Sequence, residues 1–287
     1  MSHVEEFTAA NSTSSSLAAS PVRSNSGSNH DGTGSCGKDD LTDTHQPAAK
    51  PWQAHSCRLD GRPRDGLTTD RRRLWTEIHR TAQWGAIPNS TGMARLALSN
   101  EDKLVRDYFV QEASGLGCNV SIDQMGNIFA VLAGDNNSIP PIGMGSHLDT
   151  QPAGGRYDGI LGVLGALEVL RTVKASGHRT YAPLAAINWT NEEGARFTPG
   201  CSGSAVWASH MALSKFYDLY DTTRTCTMEQ ELKRIGYHGP VQASYDASKL
   251  SAHIELHIEQ RSLLQDAKKS IGVVTSIQGI RCAPMLL

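Results

Sequence analysis

The sequence predicts an α/β fold in which an open mixed β-sheet is flanked by helices. Two short apolar runs, 141–145 and 183–189, are typical of buried strands, and an apolar helical segment over 159–174 lies between them. Strand, buried helix and strand form a βαβ unit with parallel strands, whereas a hairpin upstream makes the sheet mixed. Polar residues follow both buried strands, and in such sheets functional groups gather beyond the carboxyl ends of the strands.

The first ordered elements in the chain are predicted to be two helices. Order is expected to begin near Leu67, and apolar residues at helical spacing predict a helix over 71–84. Residues 99–102 have the pattern of a capping box, which predicts a second helix that runs to about residue 115. The apolar face of this second helix is formed by Leu104, Val105, Tyr108 and Phe109.

The remaining strands are predicted on either side of the βαβ unit. Two β-rich runs, 119–123 and 127–132, joined across Met125-Gly126, predict the hairpin. Residues 253–259 alternate strictly between polar and apolar residues, which predicts a half-buried strand with a polar face. A last β-rich run over 271–277 predicts a final strand.

The two ends of the chain differ from this domain. Residues 1–66 are dominated by Ser, Asn, Thr, Gly, Asp and Pro, so we expect a disordered, low-complexity tail. The N-terminus lacks the basic and apolar regions of a secretory signal, and no stretch approaches the roughly 18–20 apolar residues of a membrane span. We therefore expect a cytoplasmic protein without a membrane partner, with a domain over 67–281 and a separate end over 282–287.

Composition excludes other classes of function. With 287 residues, of which 39% are hydrophobic, the chain is long enough for a real core. Its formal charge of −2 leaves no basic excess for nucleic acid, and the strongest basic run, 71–73, lies at a helix start and fits a solvated face. The cysteines form no C-x-x-C pair, so neither a disulfide framework nor a cysteine-bound zinc is indicated.

Histidine and acidic residues follow the two buried strands. His147 and Asp149 end the first strand, Asp158 precedes the buried helix, and the doublet Glu192-Glu193 ends the second strand. Each alone has an ordinary explanation as a polar strand end, a helix N-cap or a solvent-facing acid pair. Together they supply an imidazole and carboxylates for metal ions and a spare acid to move protons. We therefore expect a metal-assisted hydrolase.

Three of these residues have more specific expected positions. Asp158 is expected to cap the buried helix and to bridge two cations. Asp149 is expected to accept the second imidazole N–H of the metal-binding histidine or otherwise to fix the ligand geometry. The two glutamates of the doublet cannot point the same way in an extended chain, which separates a metal ligand from a base.

Four sequence segments resemble one family. They are "GSHLDTQPAGGRYDGILGVLGALEVLRT", "NEEGARFTPGCSGSAVWAS", "ELHIEQ" and "IGVVTSIQGIR", and they occur in this order within about residues 68–281. They are similar to the ureido and amide hydrolases of the dinuclear-zinc aminoacylase and carboxypeptidase superfamily. This group includes β-ureidopropionase of the fungal type, N-carbamoyl-L-amino acid hydrolase and allantoate amidohydrolase. The resemblance implies a zinc aminopeptidase-like catalytic domain.

The resemblance also implies a role for each site residue. One metal ion would be held by His147 and His257, a second by Glu193, and Asp158 would bridge the two. Glu192 would be the general base, and Gln260 would face the substrate. The implied cofactors are two divalent metal ions, zinc in the first place, with manganese, cobalt and nickel also suited to mixed histidine and carboxylate ligands.

The implied substrate is a small ureido compound such as N-carbamoyl-β-alanine. Hydrolysis of its linear amide C–N bond would yield the free amino acid, CO2 and NH3. Two alternatives stay open. One is an aminoacylase or dipeptidase of the same superfamily, which the histidine of "ELHIEQ" disfavours, since the related peptidases carry a carboxylate there. The other is an inactive remnant that serves as a binding or regulatory partner.

The chain departs from the family pattern at three places. Arg261 stands where the family has glycine, similarity ends after Arg281, and the family's last metal-binding histidine has no counterpart downstream. The lid and dimerisation domain would follow that point. We therefore expect a C-terminally truncated chain with impaired activity. The family homodimer forms through the lid, so its formation would depend on a segment that this chain is expected to lack.

Overall fold

The computed structural model describes residues 67–275, so the expectations for the tail over 1–66 and for residues 282–287 lie outside the described residues. The described part forms one five-stranded sheet and seven helices. In chain order the elements are α1 Arg71–Thr81, α2 Asn100–Gly115, β1 Asn119–Ile122, β2 Ile128–Leu132, β3 Ile142–His147, α3 Ile160–Ala175, β4 Leu184–Trp189, α4 Ser202–Trp207, α5 Leu213–Tyr217, α6 Met228–Arg234, β5 Ala252–Ile254 and α7 Leu263–Asp266.

The sheet is mixed and has the strand order β1-β2-β4-β3-β5. β1 and β2 form the antiparallel hairpin, and β2 pairs antiparallel with β4. β3 and β4 are parallel, from Ile142 opposite Leu184 to His147 opposite Trp189. The predicted fold class, an open mixed sheet flanked by helices, is confirmed, and the βαβ unit is β3-α3-β4.

Helix α3 forms the centre of the core because its side chains are apolar nearly all round. It packs against β3 and β4, and α2 covers the same core from the hairpin side. Fully buried side chains of this kind each contribute about 1.5–3 kcal/mol relative to exposure. The α3 members of the core include Ile160, Val163, Leu164, Leu167 and Leu170. A smaller cluster contains Phe129, Ala185, Ile187, Trp189 and Leu250.

The two N-terminal helices differ from their predictions in detail. α1 ends at Thr81, because the following residues form a turn in which the Trp84 N–H donates to the Thr81 carbonyl. Ser99 caps α2 through the Asp102 N–H at 3.2 Å, as predicted. A capping box also requires the Asp102 side chain to accept the Ser99 N–H, and this part of the prediction is wrong. The Asp102 carboxylate accepts instead from the N–H of Leu98, at 2.7 Å, and from Arg106.

The predicted apolar face of α2 includes one residue too many. Val105, Tyr108 and Phe109 are buried, but Leu104 is 46% exposed. The helix therefore buries a narrower stripe than its sequence suggests.

The strand predicted over 253–259 is wrong in its extent. β5 covers only Ala252–Ile254, and it pairs in parallel with β3 through three residues. The predicted half-buried face is also wrong, because Ile254 is 60% and Leu256 is 52% exposed. Beyond Ile254 a side-chain contact replaces backbone pairing, since Glu255 accepts a hydrogen bond from Ser146.

The last predicted strand, 271–277, is wrong over the part that the structure describes. Residues 271–275 form no strand, and Ile271, Val273 and Val274 are exposed. Within 67–275, no helix has both the length and the apolar character needed to cross a bilayer.

Candidate metal centre

Three of the predicted metal ligands converge. His147 is the last residue of β3, Asp158 lies just before α3, and His257 follows β5. One ligand atom from each lies within 4.8 Å of the others. Asp158 Oδ1 is 3.0 Å from His257 Nε2 and 3.8 Å from His147 Nε2. Two ligands of one tetrahedral zinc ion, each about 2.0–2.1 Å from it, are about 3.3 Å apart. The spacing therefore fits a shared cation.

Both imidazoles are oriented by backbone carbonyl groups. His147 Nδ1 is 2.9 Å from the carbonyl oxygen of Asp149, and His257 Nδ1 is 2.8 Å from that of Ile258. A carbonyl oxygen only accepts, so each Nδ1 carries the donated hydrogen. Each Nε2 thereby faces a carboxylate of the site and, once it has lost its proton, can bind a metal ion, as is usual for metal-binding histidines.

The charges of the site favour a cation. The hydrogen bond to Asp158 raises the pKa of His257 to about 9, and the same contact lowers the pKa of Asp158. Burial opposes protonation of His147, but the carboxylates of Asp149 and Glu192 outweigh it and raise the pKa of that histidine. Both imidazoles thus have a higher pKa because carboxylates surround them, and the same negative charge attracts metal ions.

Asp158 does not cap α3, so this part of the prediction is wrong. The N-cap is Gly159, which has a φ of 68° and gives no side-chain cap. A Cβ at Gly159 would lie 2.4 Å from Cε1 of His147, so the imidazole occupies the space that any side chain would need. The Asp158 carboxylate faces His257 and Gln260 instead, with Gln260 Nε2 at 3.1 Å from Oδ2.

Asp149 organises the acidic doublet. Its Oδ1 accepts the backbone N–H of Glu192 at 3.3 Å, and its Oδ2 accepts that of Glu193 at 3.2 Å. His147 Nδ1 donates to the backbone carbonyl of Asp149, whereas its distance to Oδ1 of the Asp149 carboxylate is 4.0 Å. Burial raises the pKa of Asp149. The expected contact of Asp149 with His147 is therefore made by the backbone, and the carboxylate positions the doublet.

The two glutamates of the doublet diverge. Glu192 Oε2 is 3.4 Å from His147 Nε2, whereas Glu193 Oε2 accepts from Gln151 Nε2 at 2.9 Å. Glu193 is not part of the three-residue group. Its buried Oε1 has no hydrogen-bond partner among residues 67–275. A buried carboxylate oxygen left without a donor is unfavourable, and a bound cation would satisfy it.

Several site residues were not indicated by the sequence. Gln151 holds Glu193 across 42 positions, and Cys201 Sγ lies 3.6 Å from Glu192 Oε1. Buried Arg95 donates from Nε to the Leu148 carbonyl at 2.7 Å and so supports the segment that follows β3. No spacing rule connects residues so far apart. The only sequence signal is that Gln151 and Cys201 lie inside the quoted motifs.

Comparison with models of protein families finds a match over part of the chain. Residues 143–282 match the model described as "Peptidase family M20/M25/M40". The N-carbamoyl-L-amino-acid amidohydrolase of Rhizobium meliloti is 40% identical over 209 residues, which are 72% of this chain and 49% of that protein. The ureidoglycolate hydrolase of Arabidopsis thaliana is 31% identical over 240 residues, covering 80% of this chain and 49% of that protein.

A solved structure agrees with these relatives. An amidase of the hydantoinase/carbamoylase family from Burkholderia multivorans superimposes with a TM-score of 0.68 at 42% identity, covering 70% of this chain and 48% of that one. The chain spans about half the length of the curated relatives it matches. The family resemblance expected from the four motifs is confirmed.

Proposed function

We propose, from the match of residues 143–282 to the model of peptidase family M20/M25/M40, that the chain is a metal-dependent hydrolase of the C–N bonds of ureido compounds. The observation that carries the proposal is the convergence of His147, Asp158 and His257, with both Nε2 atoms turned towards the carboxylate. Relatives named as hydrolases of N-carbamoyl amino acids and of ureidoglycolate support the substrate class.

The proposed cofactors are two divalent ions, with zinc as the first choice. His147, Asp158 and His257 would hold one ion. Asp158 would be shared with the second, for which Glu193 would supply the buried oxygen that lacks a donor. Such ions, when bound, polarise a carbonyl group and lower the pKa of bound water. Mixed imidazole and carboxylate ligands also suit manganese, cobalt and nickel.

Glu192 is the proposed general base. Its carboxylate lies beside His147 Nε2, and 38% of the side chain is exposed, so water reaches it. Glu192 takes a proton from water as the hydroxide oxygen bonds to the ureido carbon. It then passes that proton to the departing nitrogen as the C–N bond breaks. The amino acid leaves as the amine, and the carbamate fragment breaks down to CO2 and NH3.

Two other residues support this step. Asp149 fixes the backbone of the doublet through two N–H groups, so the base keeps its position while its side chain gains and loses a proton. Gln260 donates to Asp158 at the exposed side of the site, and we assign it to the substrate-facing wall. Among ureido compounds, N-carbamoyl-β-alanine is the proposed substrate.

A substrate panel tests the proposal. Purified protein loaded with zinc, or with manganese, is assayed for ammonia release from N-carbamoyl-β-alanine, N-carbamoyl-L-amino acids and allantoate, and for amine release from N-acyl amino acids and dipeptides. Ammonia from a carbamoyl substrate is the expected result. Hydrolysis of only the acyl or peptide substrates would favour the aminoacylase or dipeptidase alternative. Metal binding without any turnover would favour a binding or regulatory remnant.

A further inference from the structure

His257 lies beyond the backbone pairing that holds β5 in the sheet. Within residues 67–275, β5 lies at the edge of the sheet, and its last paired residue is Ile254, opposite Met144 of β3. His257 comes three residues later, in a segment with no strand structure, yet its Nε2 is 3.0 Å from Asp158 Oδ1. Some contact other than the sheet ladder must therefore fix residues 255–257.

One side-chain hydrogen bond connects this segment with β3. Ser146 Oγ donates to Glu255 Oε1 at 2.5 Å. Ser146 is 1% exposed and directly precedes His147. A hydroxyl bonded to a carboxylate makes a charge-assisted hydrogen bond, which is stronger than a neutral one. The bond therefore joins a neighbour of one candidate ligand to a residue two positions from the other.

Helix α3 packs against residues 255–257 through Gly162. A Cβ at Gly162 would lie 2.7 Å from the Leu256 carbonyl oxygen and 2.7 Å from Ser146 Cβ. The backbone of Leu256 and the side chain of Ser146 thus both pack directly against Gly162. Glu255 is held by its hydrogen bond with Ser146, and Leu256 is held by its backbone contact with Gly162. These two contacts fix the chain directly before His257.

We propose that Ser146 and Glu255 form a positioning pair that sets the separation of the two imidazoles, His147 and His257, for metal binding. This inference rests on the proposed function, because it assigns the pair to the metal centre. The pair touches neither the metal nor the substrate. It acts through the backbone of the residue that follows Ser146 and of the residues that follow Glu255.

The test uses three variants and a matched control. Ser146→Ala removes the donor, Glu255→Ala removes the acceptor, and Glu255→Gln keeps an acceptor oxygen. Ser251→Ala is the control, because its hydroxyl donates to the Pro141 carbonyl at 3.1 Å beside the start of β5, away from the imidazoles. Glu255 is exposed, so its variants should fold even if the buried Ser146→Ala variant does not.

The first readout is zinc affinity, measured by calorimetric titration of the metal-free protein. Loss of a group that orients metal ligands typically weakens binding about 10–100-fold. We expect a loss in this range for Ser146→Ala and Glu255→Ala, no further loss in the double variant, and near-normal affinity for Glu255→Gln and Ser251→Ala. Wild-type affinity in both alanine variants at positions 146 and 255 would overturn the proposal.

The second readout needs no metal and separates the inference from the proposed function. The ring centroids of His147 and His257 are 5.9 Å apart, close enough for a nuclear Overhauser effect between ring protons in metal-free protein with labelled histidine. The signal should be present in the wild type and in Ser251→Ala and be lost in Glu255→Ala. Its persistence in Glu255→Ala would refute the positioning role. Failure of the wild type to bind zinc, with this pattern intact, would refute the proposed function alone.

Discussion

The carboxylate of Glu192 is held less firmly than those of the other acids of the site. Asp158 faces two partners, His257 and Gln260, and Glu193 is held by Gln151. Among residues 67–275, the Glu192 carboxylate contacts the imidazole of His147, at 3.4 Å, and the Cys201 thiol, whose Sγ is 3.6 Å from Oε1. A group that must accept and return a proton needs this freedom and access to water. This difference supports the proposal that Glu192 is the general base and Glu193 a metal ligand.

Replacing Glu192 by glutamine tests that division of roles. Glu192→Gln removes the base but keeps the shape of the side chain, so turnover should fall about 10²–10⁴-fold, the usual contribution of general acid–base catalysis. Zinc affinity should stay close to that of the wild type, because the proposed ligands do not include Glu192. Steady-state ammonia release and calorimetric titration measure the two quantities.

Glu259→Gln is the matched control for Glu192→Gln. Glu259 is an exposed glutamate of the "ELHIEQ" segment, and its carboxylate accepts the Leu264 N–H. It should leave both turnover and zinc affinity unchanged. Near-normal turnover by metal-loaded Glu192→Gln would show that another group is the base.

At the scale of elements, the start of α3 decides where His147 lies. Gly159 combines a left-handed φ of 68° with an imidazole ring in the place of its missing side chain. The helix therefore begins without a side-chain cap, and Asp158 is left free to face the site. A glycine at the N-cap costs only about a few tenths of a kcal/mol relative to Ser, Asp or Asn, so α3 begins without a side-chain cap at little loss of stability.

Two glycine-to-alanine variants separate backbone strain from the contact with His147. Gly159 and Gly177 both have a φ near 70°, but a Cβ at Gly177 would meet no atom of residues 67–275 within 4 Å. Each variant should lose about 1–3 kcal/mol of stability, because its backbone φ lies in a range that L side chains rarely adopt. Only Gly159→Ala should also displace the imidazole and weaken zinc binding, by about tenfold or more. Equal zinc affinities in the two variants would contradict this account of α3.

The elements that apolar patterning controls were predictable, and those fixed by side-chain contacts were not. β3, α3 and β4 follow from runs of apolar residues, because a fully buried strand or helix has no alternative to an apolar sequence. The alternation over 253–259 predicts a strand of seven residues, but an edge strand has a neighbour on one side only, and β3 offers β5 just three partners. Alternation shows which face a residue takes, not how far the pairing continues.

At the scale of the whole molecule, Arg106 connects α2, the hairpin and the end of β4. It is fully buried with Asp102, at 2.8 Å from Nε to Oδ2, and it donates to the Gly126 carbonyl and the Thr190 hydroxyl. Thr190 directly follows β4 and is two residues from Glu192. The Arg106–Asp102 pair thus connects α2 with β4, the strand that precedes the acidic doublet.

Arg106→Met should be strongly destabilising. It leaves the Asp102 carboxylate buried without its partner, which costs about 3–5 kcal/mol. Lys103→Met is a matched control on the same helix, since Lys103 forms an ion pair with Asp107 at the same spacing but at the surface. That variant should lose less than about 1 kcal/mol. Urea unfolding monitored by circular dichroism measures both, and a similar loss in the two variants would contradict the assigned role of Arg106.

The proximity of His147 and His257 could not be predicted from the pattern and spacing of the residues alone. His147, Asp158 and the doublet follow from one βαβ unit, because parallel strands end at the same edge of a sheet. His257 lies beyond a separate strand, and neither its periodicity nor its spacing indicates where it goes. The family resemblance implies that His257 holds a metal ion. The proposed roles of Ser146, Glu255 and Gln151 depend on contacts between distant parts of the chain.

Zinc titration of the metal-free protein, with and without Asp158, tests the central claim most directly. Asp158 faces both imidazoles and is the proposed bridge between the two ions, so Asp158→Asn should abolish saturable binding. The wild type should bind two ions per chain, and Glu259→Gln should bind as the wild type does. Wild-type binding that Asp158→Asn leaves unchanged, or a wild type that binds no zinc, would contradict a metal centre at His147, Asp158 and His257.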